Sequence, residues 1–128
     1  MKRGASRRRS NDRVLEEIMP KDLYPAATKE LADERARLAP DTLEAFRAFS
    51  RQAFAAGALP AVTKQLIAVA VAHTTQCPYC IRSHTRQALR AGASREQIME
   101  AIWVAAEMRA GAAYSHANLA LDTMNEAS

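Results

Sequence analysis

Apolar residues recur at helical spacing through most of the chain, and no segment alternates polar and apolar residues for long. Alanine is abundant and β-branched residues are sparse, a composition that favours helix over strand. The chain has 128 residues, which suits a single domain with one hydrophobic core. The pattern therefore predicts an all-α fold, a bundle of about five to six helices in residues 16–128.

Helix-start and helix-stop residues divide this bundle. Helices are predicted over residues 28–38, from Pro40 to Gly57, from Pro60 onward, from the cysteine motif to Gly92, from Ser94 onward, and after Gly111. The pairs Asp41/Glu44 and Ser94/Gln97 have capping-box spacing at the second and fifth helix starts. The third helix, TKQLIAVAVAHT, is apolar nearly all round, which predicts that it is buried.

Positive charge is concentrated at the N-terminus. Residues 1–13 hold six basic side chains against Asp12, a net charge of +5, so the total of +4 leaves −1 for the rest of the chain. We interpret residues 1–15 as a disordered basic tail, and no nucleic-acid-binding motif accompanies it. The sequence has no bilayer-spanning apolar run and no apolar segment of a signal peptide, which predicts a cytoplasmic protein with neither a membrane nor a nucleic-acid partner.

The two cysteines of the chain both lie in TQCPYCIRSH, residues 75–84. Pro78 suits the first position of a helix, where a missing N–H costs nothing, so Cys77 is predicted to be the N-cap. Cys80 and His84 are one helical turn apart on the same face. The helix start and the histidine both favour a thiolate. Because Cys77 is about two turns from His84, this reasoning favours Cys80 as the attacking thiol and Cys77 as the resolving one.

Other interpretations compete with a redox site. The two cysteines can be buried and inert. The motif offers three zinc ligands, Cys77, Cys80 and His84, and His73 or His116 could be the fourth. Structural zinc sites, however, usually draw their ligands from two separate segments. A glutaredoxin-like site needs flanking strands and a later proline, and none of the five prolines follows the motif. The redox interpretation needs neither a metal nor a cofactor.

The run TKQLIAVAVAHTTQCPYCIRSHTRQALRAGASREQIMEAIWVAAEMRAGAAYSHANLA resembles the carboxymuconolactone decarboxylase/AhpD-like superfamily, over about residues 40–122. The CPYC-x3-H motif, followed by RAGAS and an EAIW-type helix, resembles its AhpD-like (alkylhydroperoxidase) branch. This resemblance implies an AhpD-like helical bundle that assembles into trimers or hexamers. The branch with decarboxylase activity lacks the cysteine pair, which makes lactone decarboxylation a weaker interpretation.

The resemblance also implies a thiol-dependent peroxidase whose Cys77/Cys80 pair cycles through an intramolecular disulfide. Cys80 would attack the peroxide and become a sulfenic acid, and Cys77 would condense with it. His84 would belong to the proton relay. An external dithiol, either a lipoyl group or a thioredoxin-like protein, would restore the pair.

One position departs from the family pattern. Family members usually carry a glutamate twelve residues before the first cysteine, where this chain has Gln65. A glutamine cannot pass a proton, so it either orients His84 or a water by hydrogen bonding or lies exposed on the helix surface. Glu100 and Glu107 are candidate substitutes on one stripe of the fifth helix, whose simpler interpretation is a solvated face. The alternatives to a peroxidase are a non-peroxidase dithiol oxidoreductase and a redox-sensing oligomer.

Overall fold

The computed structural model describes residues 23–127, which form six α-helices and no strand. The predicted all-α fold of about five to six helices is therefore confirmed. The predicted tail at residues 1–15 lies outside the described residues. None of the helices in residues 23–127 is both long enough and apolar enough to cross a membrane. The helices are α1 (Lys29–Leu38), α2 (Pro40–Phe54), α3 (Ala61–Thr75), α4 (Pro78–Arg90), α5 (Arg95–Ser115) and α6 (Ala117–Glu126).

One of the two predicted capping boxes forms. The Gln97 N–H donates to Ser94 Oγ at 3.1 Å, and the Ser94 N–H donates to Gln97 Oε1 at 2.9 Å. The box predicted for Asp41 and Glu44 is wrong. Pro40 takes the first position of α2 and makes Ala39 the N-cap, so Asp41 already lies inside the helix. An alanine has no side chain that can accept from the first turn.

Gly92 and Gly111 are both predicted to end helices, and only Gly92 does so. Gly92 has a φ of 97° and closes α4, with the Gly92 N–H donating to Leu89 O at 3.1 Å and the Ala93 N–H to Ala88 O at 2.9 Å. These two bonds form a Schellman motif. The break predicted at Gly111 is wrong, because α5 continues to Ser115. A glycine inside a helix costs only about 1 kcal/mol relative to alanine, which the packing of α5 against α3 can offset.

The core lies where α3, α4 and α5 meet. Val69, Ala88, Ala93 and Ile98 form its buried cluster. The prediction that α3 is buried all round holds for one face alone, since Val71 is 53% exposed. α1 and α2 form a hairpin whose second helix contacts α3.

Much of the apolar surface within residues 23–127 stays uncovered. Six hydrophobic residues are buried in the core, whereas nineteen large hydrophobic side chains are exposed. Trp103, Val104 and Met108 on α5 illustrate this, each at least 60% exposed. Exposed apolar side chains that lie together on one helix face, as Val104 and Met108 do at i and i+4, often mark a contact with another protein chain.

The core makes a direct stability prediction. Val69→Ala is expected to lower the free energy of unfolding by about 2 kcal/mol, because Val69 is 0% exposed and its lost methyl groups leave a cavity. Urea unfolding followed by circular dichroism measures this loss. Val71→Ala on the same helix is the matched control, and we expect it to change the free energy by less than about 0.5 kcal/mol. If the two variants lose equal free energy of unfolding at every protein concentration, the placement of the core is wrong. If the loss for Val71→Ala depends on protein concentration, Val71 lies in a contact between chains.

Candidate functional site

The two cysteines are placed by a short connection between α3 and α4. Gln76 ends α3 in the left-handed conformation, with φ 57° and ψ 42°. The Cys77 N–H then donates back to Ala72 O at 3.2 Å. Pro78 occupies the first position of α4 and Cys77 is the N-cap, as predicted. The chain therefore reverses within two residues and starts α4 with both thiols in its first turn.

The thiol groups lie against each other. The Cys80 backbone N–H donates to Cys77 Sγ at 3.3 Å, and the two Sγ atoms are 2.7 Å apart. Both cysteines are free and only partly buried. A disulfide has a sulfur–sulfur distance of about 2.05 Å, so a shift of about 0.7 Å closes the bond. This separation allows the pair to switch between dithiol and disulfide without refolding.

The pKa values of the two thiols move in opposite directions. The side chain of Cys80, and then its backbone N–H, hydrogen-bond to Cys77 and hold the pKa of the Cys77 thiol below its ordinary value. The same side-chain hydrogen bond raises the pKa of Cys80, with burial and the charge on Cys77 adding to the effect. The first thiolate therefore forms on Cys77. This direction differs from the sequence argument, which gave His84 more weight than the helix start.

His84 is held by partners other than the thiols. Its ring stacks on Phe54 of α2, with 5.1 Å between ring centroids and 20° between planes. Its Nδ1 lies 2.9 Å from Gln65 Oε1 of α3. Burial lowers the pKa of His84, so the imidazole is neutral at pH 7. No hydrogen bond joins His84 to Cys80 in the part of the chain that the structure describes.

Gln65 is buried rather than lying on the helix surface, with 8% of its area exposed. Its Nε2 donates to Gln87 Oε1 at 3.4 Å, and Gln87 Nε2 donates to Ser83 Oγ at 3.0 Å. In this arrangement Gln65 Oε1 accepts from the Nδ1–H of His84, which leaves the other ring nitrogen, Nε2, able to take a proton. Gln65 thus orients the histidine.

The remaining candidate residues lie apart from this group. His73 Nδ1 is 2.8 Å from Val69 O of its own helix. His116, Glu100 and Glu107 are exposed. The zinc alternative would need at least three ligands to converge, and residues 23–127 contain no group of three His, Cys, Asp or Glu side chains that could hold a metal ion.

Sequence reasoning missed three contacts of the motif. Phe54 and Gln87 reach the site from α2 and α4, and only Gln87 had a usable signal, its position three residues after His84. Tyr79, between the cysteines, donates its hydroxyl to Pro25 O at 2.7 Å and meets the Tyr24 ring edge-on. A groove of about 380 Å³ lies beside this contact and reaches α1. The segment before α1 therefore touches the cysteine motif.

Comparison with known proteins gives consistent matches. A sequence profile of the carboxymuconolactone decarboxylase family matches residues 40–123. Uncharacterized protein 4 in the cox locus of Paracoccus denitrificans is 68% identical over 83 residues, which is 65% of this chain and 75% of that protein. An uncharacterized protein of Haemophilus influenzae is 38% identical over 83 residues, 65% of this chain and 74% of that one.

Solved structures agree with the fold. A protein from Methanobacterium thermoautotrophicum has a TM-score of 0.62 at 35% identity, covering 65% of this chain and 93% of that chain. An apo carboxymuconolactone decarboxylase family protein from Legionella pneumophila has a TM-score of 0.59 at 34% identity, covering 76% and 86%. Both structures are therefore similar to this chain in sequence as well as in fold.

Proposed function

The chain belongs to the carboxymuconolactone decarboxylase family, and we propose that it is a thiol-dependent peroxidase of the AhpD-like type, which reduces peroxides through its Cys77/Cys80 pair. The observation that carries this proposal is the distance of 2.7 Å between the two sulfurs at the start of α4. A pair that is partly exposed, free and almost in bonding contact is suited to two-electron cycling.

In the proposed cycle, the Cys80 thiolate attacks one peroxide oxygen. The O–O bond breaks, Cys80 becomes a sulfenic acid, and the released alkoxide or hydroxide takes a proton. The Cys77 sulfur then attacks the sulfenic sulfur, which forms the disulfide and releases water. An external dithiol exchanges with this disulfide, is oxidised to its own disulfide and returns both cysteines to thiols. The cycle uses no cofactor.

In this proposal, the thiol protons are transferred by the two cysteines and His84. Once Cys77 is a thiolate, the remaining proton is bonded to the Cys80 sulfur, and its transfer to the adjacent Cys77 sulfur frees the Cys80 thiolate for attack. His84, neutral and oriented by Gln65, is the proposed proton acceptor of the site, with Nε2 as the accepting atom. Gln65 acts as a positioning residue here, because an amide cannot carry the proton itself.

The proposed protein works as a homo-oligomer, a trimer or a hexamer, in the cytoplasm. The nineteen exposed large hydrophobic side chains of residues 23–127 support assembly, because it would cover surface that one chain leaves open. Two free cysteines suit a reducing compartment. The proposed reductant is a lipoyl group or a thioredoxin-like protein.

A second candidate function is a dithiol oxidoreductase or redox sensor that does not turn over peroxide. The observation that favours it is the lowered pKa of Cys77, because a thiolate at the exposed start of a helix is also suited to exchange with a protein disulfide. The same Cys77/Cys80 pair would then respond to a disulfide substrate instead of a peroxide.

A peroxidase assay separates the two functions. We expect the reduced protein to consume an organic hydroperoxide continuously with dihydrolipoamide as reductant, and to accumulate an intramolecular disulfide when the dithiol is left out. Peroxide loss and mass spectrometry after thiol alkylation measure the two outcomes. A protein that forms the disulfide only with oxidised glutathione or a protein disulfide, and never with peroxide, belongs to the second class.

A further inference from the structure

Charge is distributed unevenly around the redox pair. Residues 45–95, which contain α3 and α4, carry no Asp or Glu. They carry seven basic residues, Arg47, Arg51, Lys64, Arg82, Arg86, Arg90 and Arg95. Residues 96–127 have five acidic side chains against Arg109, a net charge of −4. The net charge of the chain beyond its tail is near zero because a strongly basic central segment is balanced by acidic residues on either side.

Three of these basic residues form a ridge on α4. Tyr79, Arg82, Arg86 and Arg90 follow one another at i, i+3, i+7 and i+11, which places them on one helix face. All four are exposed. The two ion pairs recorded for residues 23–127, Lys29–Asp33 and Arg51–Glu44, leave the three arginines of this arginine ridge without an acidic partner.

The arginine ridge starts at the redox motif. Tyr79 lies between the two cysteines in sequence, and Arg82 follows Cys80 by two residues on the outer side of α4. A further guanidinium lies nearby, because Arg109 Nη1 of α5 donates to Thr74 O at 3.1 Å, three residues before Cys77. A protein that approaches the start of α4 along this ridge therefore meets arginine side chains before the cysteines, whereas the groove lined by Tyr79 holds both Glu34 and Arg35 of α1.

We propose that the arginine ridge Arg82–Arg86–Arg90 is the docking surface for the protein that exchanges dithiol with the Cys77/Cys80 pair, and that this partner presents an acidic surface around its own reactive thiol. The proposal rests on the proposed redox function and adds the charge of the partner. Complementary charge mainly accelerates encounter, and it orients the partner so that its thiol reaches the helix start. A redox protein fits the ridge better than a nucleic acid, because the ridge begins in the same first turns of α4 that carry the two cysteines.

The test measures how fast the oxidised protein is reduced. The probes are a reduced thioredoxin of acidic isoelectric point and dihydrolipoamide, a small neutral dithiol. We expect the second-order rate constant with thioredoxin to fall about tenfold between low and high salt, and the rate with dihydrolipoamide to be unchanged.

A pair of double variants provides matched controls. Arg86→Glu/Arg90→Glu reverses two charges of the ridge, and Arg37→Glu/Arg47→Glu makes the same charge change at exposed positions of α1 and α2. At low salt the ridge variant is expected to slow reduction by thioredoxin about tenfold or more, whereas the control variant stays within about twofold of wild type. Neither variant should alter reduction by dihydrolipoamide.

The outcomes distinguish this proposal from the function on which it rests. A protein whose disulfide neither forms nor responds to dihydrolipoamide contradicts the redox function itself. If dihydrolipoamide reduces the disulfide but the thioredoxin rate is independent of salt, or falls equally in both variants, the docking proposal is wrong. It is equally wrong if the ridge variant changes only the oligomeric state, or only binding to a short duplex DNA.

Discussion

Replacing Cys80 by serine is expected to lower dithiol-dependent peroxide consumption by about three orders of magnitude or more, because the proposed attacking sulfur is lost and a serine hydroxyl stays protonated. The fold should be retained, since Cys80 is only partly buried and serine is similar in size. Peroxide loss under excess dihydrolipoamide measures the rate, and circular dichroism checks the fold.

Cys77→Ser is the matched variant in the same turn of α4. It keeps the attacking sulfur and loses the resolving one, so each chain is expected to consume about one peroxide and stop as a sulfenic acid on Cys80. A sulfenic-acid trap followed by mass spectrometry locates the oxidised sulfur. If Cys80→Ser consumes peroxide as fast as wild type, the assignment of roles is reversed. Cys77, which forms the first thiolate, is then the attacking residue.

Gln65→Leu is expected to slow peroxide consumption by about tenfold or more and to lower the free energy of unfolding by about 1 to 3 kcal/mol. The leucine removes the acceptor for His84 Nδ1 and the donor to Gln87, and leaves both polar groups without their partner. The ¹⁵N chemical shifts of the His84 ring report the loss of a defined tautomer, which a purely structural role would not produce. Gln52→Leu, at an exposed position of α2, is the control and should leave all three readouts unchanged.

Gln65→Glu tests the same contact by charge. A carboxylate beside Nδ1 stabilises the imidazolium, so the pKa of His84 should rise from the lowered value that burial gives it. Because His84 must be neutral to accept a proton, the acid limb of the rate profile should move to higher pH. Above that limb the stronger base should increase the rate. An unchanged rate profile would mean that another group accepts the thiol proton.

The same pKa has a consequence for stability in the wild-type chain. The unfolded chain takes up the His84 proton near pH 6.5, whereas the folded chain takes it up at a lower pH. The stability that this residue contributes is therefore complete above about pH 6.5, the unfolded pKa. It declines as the pH falls from there toward the folded pKa. Gln65→Glu, which raises the pKa of His84 in the folded chain, should weaken this trend.

Local signals in the sequence predicted the local geometry of the site. Pro78 and the Ser94–Gln97 pair each set a helix start, because the groups involved lie within one turn of each other. The Asp41–Glu44 prediction failed because a helix start with Ala39 as N-cap and Pro40 in the first position competes with one that has Asp41 as N-cap, and spacing alone does not rank the two.

Contacts between helices could not be predicted from the sequence. The burial of Gln65 against His84 depends on how α3 crosses α4, and the Phe54–His84 stack depends on where α2 ends. The order of the thiol pKa values was missed for a related reason. It follows from a sulfur–sulfur contact whose length no residue spacing specifies.

The connection of only Gln76 and Cys77 between α3 and α4 also bears on how the chain folds. The hydrogen bonds that build the thiol pair join Ala72 to Cys77 and Cys77 to Cys80, residues close together in sequence. Contacts of this kind close small loops and form early, before distant elements dock. If the chain assembles and cycles as proposed, it brings its two thiols together before its subunits associate, and the pair can be oxidised while assembly is still incomplete.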